Sequence, residues 1–355
     1  MVFAKEMMVK KVFISDVKEK DKVEDIFLVT KKETGKSRAG KAYLNLRLMD
    51  KSGMVEGRVW DNVETLSGRF EKNDFVKVRG YAVSYQSIIQ MNVGDIKRVN
   101  DSSVDIADFL PAAQRDRDEM FAELEEIIGE MGDRHLQQLL QLIFEDEDVK
   151  RRFKIAPAAK AMHHAYLSGL LEHVLSLCGL ADRVTGHYRG INRDLVITGA
   201  ILHDIGKIYE LSYERSFDYT DEGRLVGHIT IGIGMVERVI EKIPGFPKEL
   251  STLIKHMLLS HHGYLEYGSP KRPKCVEAVI LYYCDDLDSK IQAMQAYIEK
   301  EGDTGSNWTS YHRLYERYIY KGPGSGAIAV PQGGEGEDEP LEGGKGELNL
   351  FTKAP

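Results

Sequence analysis

Apolar residues recur at every second position between Lys22 and Val99, and at every third or fourth position from Arg115 to about Tyr320. The first spacing is that of a strand with one buried face; the second is that of a helix with one apolar stripe. No single element satisfies both, so a β module must precede a helical one. A chain of 355 residues has room for two cores and a tail. The run Asn100-Asp101-Ser102-Ser103 and the later Pro111 mark the change. This places the β module at residues 1–100, a linker and connecting helix at 101–132, the helical domain at 133–320 and a tail at 321–355. The tail is rich in Gly, Pro and Glu, as in Gly333-Gly334-Glu335-Gly336-Glu337-Asp338. Such a composition buries too little surface to fold, and disorder is expected there.

Within the β module the strand candidates are Lys22–Thr30, Lys41–Met49, Met54–Trp60, Phe75–Tyr85 and Ser87–Val99. Asp50-Lys51-Ser52-Gly53 is a hairpin signal between the second and third. A short helix, Asn62–Arg69, fits between the third and fourth. Five strands with a helix after the third is the order of an OB fold, a partly open five-stranded barrel. The expected fold class is therefore multidomain α+β: an OB-type barrel followed by an all-α domain and a disordered tail.

Alternation also says what such a barrel shows to solvent. Ala42, Leu44, Leu46 and Leu48 share the apolar face, leaving Tyr43, Asn45 and Arg47 on the other. In the third strand Val55 and Val59 point in, while Arg58 and Trp60 point out. Basic and aromatic side chains together can neutralise phosphates and stack on unpaired bases. Lys41, Tyr43, Arg47, Arg58 and Trp60 are thus candidates for binding single-stranded RNA or DNA. Trp60 has an alternative role, plugging the barrel rim. The segment from Lys31 to Lys41 is expected as a flexible basic finger. Charge distribution points the same way: residues 1–100 carry 20 basic and 14 acidic side chains, a net +6 within a chain of −8. A basic module joined to an acidic one suits a polyanionic partner, although unselected drift in charge would also produce it.

Three scattered cysteines, Cys178, Cys275 and Cys284, form no CxxC pair. They read as small buried residues of a reducing compartment, and any metal must be held by histidine and carboxylate. No apolar run approaches the ~20 residues of a membrane span, and Met1–Asp16 lacks the apolar stretch of a secretory signal. A cytoplasmic location without membrane contact is expected.

The helical half carries the titratable groups. His203-Asp204 ends Asp194–Ile205, a helix apolar on nearly every side, with Gly206 as its stop. Burying an adjacent His and Asp is costly unless they are paired or bind a metal. Lys207 lies one turn beyond His203 and could hold a phosphate oxygen. His173 flanks the apolar stripe of Ala165–Val184. His228 follows Gly227 at the head of Ile229–Ile243. His261-His262 closes Lys248–His262, with Gly263 as its stop. Asp285 stands in Val279–Met294, and Asp288 comes one turn later. At ~100° per residue, His261 sits amid the apolar face of its helix, His262 on its flank and His256 nearly opposite. His256 is therefore expected to face solvent. Each of these groups alone fits a satisfied core residue. Seven imidazoles and carboxylates on five apolar helices would need many separate partners, whereas one shared metal cluster satisfies them together.

The order His173, His203-Asp204, Asp285 resembles the H…HD…D signature of the HD phosphohydrolase superfamily, and His203-Asp204-Ile205-Gly206-Lys207 is similar to its HDIGK run. His228 and His261-His262 resemble the additional ligands of HD proteins holding two metals. Over residues 10–320 the chain resembles the YhaM family of two-domain 3′–5′ exoribonucleases. That likeness rests on Ala158-Ala159-Lys160…His163-His164-Ala165-Tyr166…Gly169-Leu170-Leu171-Glu172-His173, on Leu259-Ser260-His261-His262-Gly263…Glu266-Tyr267-Gly268-Ser269-Pro270, and on Asp285-Asp286-Leu287-Asp288-Ser289-Lys290. In the barrel the likeness is of layout more than of residues.

The resemblance implies that His173, His203, Asp204 and Asp285 bind one divalent ion, that Asp204 bridges to a second, and that His228, His261 and His262 complete the second site. Mixed imidazole and carboxylate ligands favour Mn²⁺, Fe²⁺ or Co²⁺, with Mg²⁺ admitted. Asp204 and Lys207 are the implied catalytic residues, and nucleoside 5′-monophosphates released from a 3′ end are the implied products, with RNA favoured and DNA admitted. Two alternatives stand beside this reading. One is an HD phosphohydrolase acting on a nucleotide or cyclic dinucleotide, although His261–Pro270 lacks the GYP triplet of the cyclic-dinucleotide enzymes. The other is a non-catalytic nucleic-acid-binding adaptor. In the tail, Glu347-Leu348-Asn349-Leu350-Phe351 resembles the QLxLF pentapeptide that docks on the DNA sliding clamp, which makes Leu348, Leu350 and Phe351 candidate partner contacts. Oligomeric state is not legible.

Overall fold

The computed structural model describes residues 8–37, 40–85, 88–160, 166–302, 304–313 and 315–322. The clamp-like residues Leu348, Leu350 and Phe351, the tail from residue 323 onward and His163-His164-Ala165 lie outside the described residues. By compactness the chain divides into Met1–Ala296 and Tyr297–Pro355.

Five strands, β1 (Lys22–Lys36), β2 (Ala42–Asp50), β3 (Gly53–Val59), β4 (Phe75–Tyr85) and β5 (Ile88–Arg98), close into a barrel in the order β1-β2-β3-β5-β4. Helix α1 (Val63–Ser67) bridges β3 and β4. This is the expected OB barrel, followed by the expected helical HD domain. The β2–β3 hairpin turns on Lys51-Ser52, with Asp50 opposite Gly53. Leu44, Leu46, Leu48, Val55 and Val59 fill the barrel with Phe27, Val76 and Met91.

Two details of the barrel differ from expectation. Residues Lys31–Lys36 continue β1 and pair with Ala42–Arg47 of β2, so most of the anticipated flexible finger is ladder. Ladder hydrogen bonds outweigh the local polarity of the Lys-Lys-Glu-Thr-Gly run. In β1, Ile26-Phe27-Leu28-Val29 is buried on both sides. Phe27 and Val29 face the barrel, whereas Ile26 and Leu28 join the core of the helical half. A strand covered on both faces loses its alternation.

The segment after the barrel, read as a linker, is built into that second core. Phe109 lies 4.8 Å from Phe75, ring to ring, and Leu110 is buried beside it. Helices α2 (Arg117–Gly129), α3 (Arg134–Phe144) and α4 (Glu147–Ile155) follow. Asp116, Asp133 and Asp146 cap them by accepting hydrogen bonds from the first-turn amides, each worth about 1 kcal/mol. From α2, Met120, Phe121, Leu124 and Ile128 enter the same core.

The metal-binding candidates sit on the next elements: α5 (Gly169–His187), α6 (Arg193–Leu202), α7 (Lys207–Glu210), the small pair β6 (Leu211–Ser212) and β7 (Asp218–Tyr219), α8 (Asp221–Val226), α9 (His228–Ile240), α10 (Lys248–Ser260) and α11 (Val276–Glu301). Helix α6 is central: every residue from Leu195 to Leu202 is buried. Beyond β6, Arg215 reaches back to the barrel side, donating to Asp74 (3.1 Å) and pairing with Asp101. No helix among the described residues is long and apolar enough to cross a membrane.

In the second unit, backbone hydrogen bonds join Thr309 N–H to the Ile319 carbonyl and His312 N–H to the Arg317 carbonyl, making a short ladder with bridges at Trp308/Tyr320 and His312/Arg317.

Candidate metal centre

His203 is the C-cap of α6, and the chain turns sharply through Asp204-Ile205-Gly206 before α7. Gly206 was expected as a left-handed helix stop. Its φ of −63° and ψ of −19° are right-handed instead. The reason for glycine is proximity: a Cβ there would collide with the His228 carbonyl and come within 2.8 Å of the Gly232 amide. The missing side chain lets the head of α9 press against the His203–Asp204 turn and delivers His228. Gly263, at φ +76°, is the left-handed stop expected after His262.

All the expected ligands converge. One group comprises His173, His203 and Asp204; a second comprises Asp204, His228, His261 and His262; within each, the donor atoms lie inside 4.8 Å of one another. Asp204 belongs to both. Its Oδ1 faces His228 Nε2 (3.5 Å) and His261 Nε2 (3.7 Å), and its Oδ2 faces His203 Nε2 (3.2 Å). Asp285 Oδ1 stands 3.2 Å from His173 Nε2 and 3.9 Å from His203 Nε2.

The five imidazoles are oriented alike. His203 Nδ1 donates to the Ala200 carbonyl (2.8 Å), His261 Nδ1 to the Leu258 carbonyl (2.8 Å) and His262 Nδ1 to the Tyr267 carbonyl (2.9 Å). His173 Nδ1 donates to Asp288 (3.0 Å), and His228 Nδ1 to Glu210 (3.0 Å). A carbonyl or ionised carboxylate only accepts, so Nδ1 carries a proton in each; Nε2 of His203, His228, His261 and His262 then offers its lone pair inward, while Nε2 of His173 faces Asp285. His203 Nε2, His228 Nε2, His261 Nε2 and Asp204 Oδ1 are buried with no hydrogen-bond partner. Leaving such atoms unpaired costs about 1–3 kcal/mol each. Four orphans aimed at one spot fit a divalent ion, and the donor set is the right chemistry for one. These groups can therefore hold metal.

Electrostatics is consistent with that use. Burial would raise the Asp204 carboxyl, but Lys207, then His203 and His228, hold it well below the usual range. Burial would depress His173, yet Asp285 and Asp288 raise it to about 9. Burial, reinforced by His262 and His203, pushes His261 well below its usual value, which keeps it neutral. Lys207 Nζ donates to Asp204 Oδ2 at 2.6 Å, and this contact keeps the ammonium charged against the cost of burial.

Glu210 and Asp288, which orient His228 and His173, are the residues of this cluster that sequence reasoning left without a role. Asp288 also accepts from Ser176 Oγ (2.6 Å), and Glu210 accepts from the His228 backbone N–H (3.0 Å). The signal for Asp288 was its place one turn after Asp285; Glu210 had none before the β6–β7 fold-back was known. His256 differs from expectation, being half-buried with Nε2 accepting from the Lys274 amide at 2.8 Å.

On the barrel, Tyr43 and Trp60 lie 5.0 Å apart, ring to ring, and the Arg58 guanidinium sits 5.5 Å from the Tyr43 ring. Trp60 Nε1 donates to Asn92 (3.2 Å), and Asn92 Nδ2 donates to the exposed Tyr81 hydroxyl (3.2 Å). Trp60 is exposed, so it does not plug the rim. Arg47 is paired with Glu56 and Lys41 with Asp61. Arg58 keeps a buried nitrogen, Nη1, without a partner.

A family model described as "HD domain" matches residues 170–290, and one described as "OB-fold nucleic acid binding domain" matches residues 28–99. The chain is 35% identical over 312 residues to the 3′-5′ exoribonuclease YhaM of Geobacillus sp. (strain WCH70), covering 87% of this chain and 95% of that protein. It is 34% identical over 294 residues to the 3′-5′ exoribonuclease YhaM of Bacillus subtilis (strain 168), covering 82% and 92%. Among solved structures it is similar to the HD domain of the L. monocytogenes phosphodiesterase PgpH, at 20% identity and a TM-score of 0.27 over 43% of this chain and 80% of that one. The second OB-fold domain of replication protein A from Methanococcus maripaludis matches at 20% identity and a TM-score of 0.21, over 25% of this chain and 94% of that one.

Proposed function

The chain belongs to the YhaM family of 3′–5′ exoribonucleases, and from that premise we propose that it removes nucleoside 5′-monophosphates stepwise from the 3′ end of single-stranded RNA. As a member it is a metal-dependent phosphodiesterase with an HD hydrolase domain. In the proposed site His173, His203, Asp204 and Asp285 would hold one divalent ion, and Asp204, His228, His261 and His262 would hold a second. The observation that carries this assignment is the set of partnerless Nε2 and Oδ1 atoms converging around Asp204.

Divalent ions held there supply Lewis acidity toward the scissile phosphate and lower the pKa of water. The chain's own groups do the rest. Five imidazoles arrive with Nδ1 already protonated and fixed, so ring orientation needs no rearrangement, and His173, held as a cation by Asp285 and Asp288, gives up its Nε2 proton on ligation. Asp204 stays ionised because Lys207 and the neighbouring imidazoles favour the anion. Lys207 lies on the Oδ2 side, where its ammonium can turn from Asp204 to a phosphate oxygen. Tyr43, Arg58 and Trp60, with Tyr81 and Asn92, offer the strand a stacking surface and a cation held only loosely, 3.8 Å from Glu56.

Asp204→Ala tests the assignment. With a 5′-labelled RNA oligomer and a matched DNA, the parent should shorten the RNA from its 3′ end by single nucleotides, with slower loss of DNA. The variant should show at least a thousandfold lower rate with an unchanged far-UV spectrum. Parental activity in the variant would remove Asp204 from the chemistry, and preference for DNA would overturn the substrate.

A further inference from the structure

We infer that the ladder between Trp308 and Tyr320 is a second stacking platform for unpaired bases, distinct from the barrel surface. The inference rests on the reading above that the substrate is a single strand.

The backbone bonds pair Thr309 with Ile319 and His312 with Arg317. One strand therefore spends three steps where the other spends two, and the extra residue is Ser310. A one-residue bulge moves every later side chain to the opposite face. Tyr311 consequently shares the face of Trp308, which is also that of Tyr318 and Tyr320. Ring contacts agree: Trp308 and Tyr320 lie 5.1 Å apart, and Tyr311 and Tyr318 lie 5.3 Å apart. Exposure agrees as well, at 53%, 48%, 60% and 50% for Trp308, Tyr311, Tyr318 and Tyr320, whereas Thr309 on the other face is 4% exposed.

The bulge is held in place. Ser310 donates from its N–H (3.1 Å) and its hydroxyl (2.6 Å) to the Glu301 carboxylate. That carboxylate satisfies the amide that the ladder leaves over. A conformation fixed in this way to show four aromatic rings to water calls for something flat and apolar-faced.

Composition selects nucleic acid over a protein surface. Among the described residues, the exposed face is all ring, without the Leu, Ile or Met of a packing interface; Ile319 is on the other side. Exposed Arg313 and Arg317 lie at the turn, and residues 306–321 carry three basic side chains and one acidic in an otherwise acidic half. Rings with adjacent cations are the elements that hold single strands irrespective of base.

The test uses the full chain with chelator present, so that no hydrolysis occurs. The chain has two tryptophans, and Trp60→Phe leaves Trp308 as the sole reporter. Oligouridylate should quench its fluorescence in proportion to binding. Read by anisotropy of a fluorophore-labelled long oligouridylate, Trp308→Ala with Tyr318→Ala should weaken binding about tenfold or more, while Trp308→Phe should restore most of it. Cleavage of a dinucleotide by the metal-loaded double variant should be unchanged, so failure here is distinct from failure of the nuclease assignment. No quenching, or an alanine variant that binds like the parent, would overturn the platform. An unchanged affinity joined to an altered mass in sedimentation would overturn it in favour of a protein–protein contact.

Discussion

At the residue scale, what matters is the control of Nε2. Three of the five imidazoles are fixed by backbone carbonyls and two by carboxylates. Removing such a carboxylate typically lowers metal affinity about 10–100-fold. Asp288→Asn should do so, measured by competition with a chromogenic chelator. The same variant tests the proton balance of His173. In the metal-free protein this imidazole titrates at about 9 against 6.5 when unfolded. A raised value means that its stabilisation is complete below 6.5 and fades as pH rises through 9. The thermal midpoint of chelated parent protein should fall across that window, and Asp288→Asn should flatten the fall; equal slopes would show that His173 is not its source. The convergence of these groups was legible because His-Asp on an apolar helix, with partners on four others, leaves few solutions. Glu210 was not, because only the fold-back between α7 and α9 brings it to His228.

At the scale of elements, period alone placed the strands to within one or two residues except at the end of β1, whereas several helix ends missed by three residues or more, as in α11, expected over Val279–Met294 and found over Val276–Glu301. What escaped was contact-driven. Lys31–Lys36 is polar enough to read as loop, and only its pairing with β2 makes it strand. Ile26-Phe27-Leu28-Val29 does not alternate because a second core takes its outer face. Gly206 was read as a helix stop, yet its role is to admit α9. That role predicts a large effect from the smallest change. Gly206→Ala should cost about 1–3 kcal/mol, the range for forcing atoms into a packed site. It should also impair metal binding, since His228 moves with α9. Denaturant unfolding and metal titration would check both, and near-parental values in both would remove close approach as the reason for glycine.

At the scale of the whole molecule, an OB-fold barrel shares a chain with a helical centre whose histidines and carboxylates can hold metal. Charge asymmetry made that division legible in the sequence, but not which cations are available. Lys41 pairs with Asp61, and Glu56 is shared by Arg47 at 3.2 Å and Arg58 at 3.8 Å, so Arg58, beside Tyr43, is the more loosely held. Arg58→Ala should therefore weaken oligouridylate binding and reduce the slope of log affinity against log salt by about 0.7, the single-strand value per phosphate contact. Arg47→Ala should change the slope less, and the reverse order would relocate the phosphate path. The central claim is that Asp204 joins two metal sites made from five inward-facing imidazoles. Anomalous diffraction from manganese-soaked crystals tests it most directly. Two peaks should appear, one on each side of the Asp204 carboxylate, one facing His173 and His203 and the other facing His228, His261 and His262. Peaks elsewhere, or none near Asp204 at saturating manganese, would contradict it.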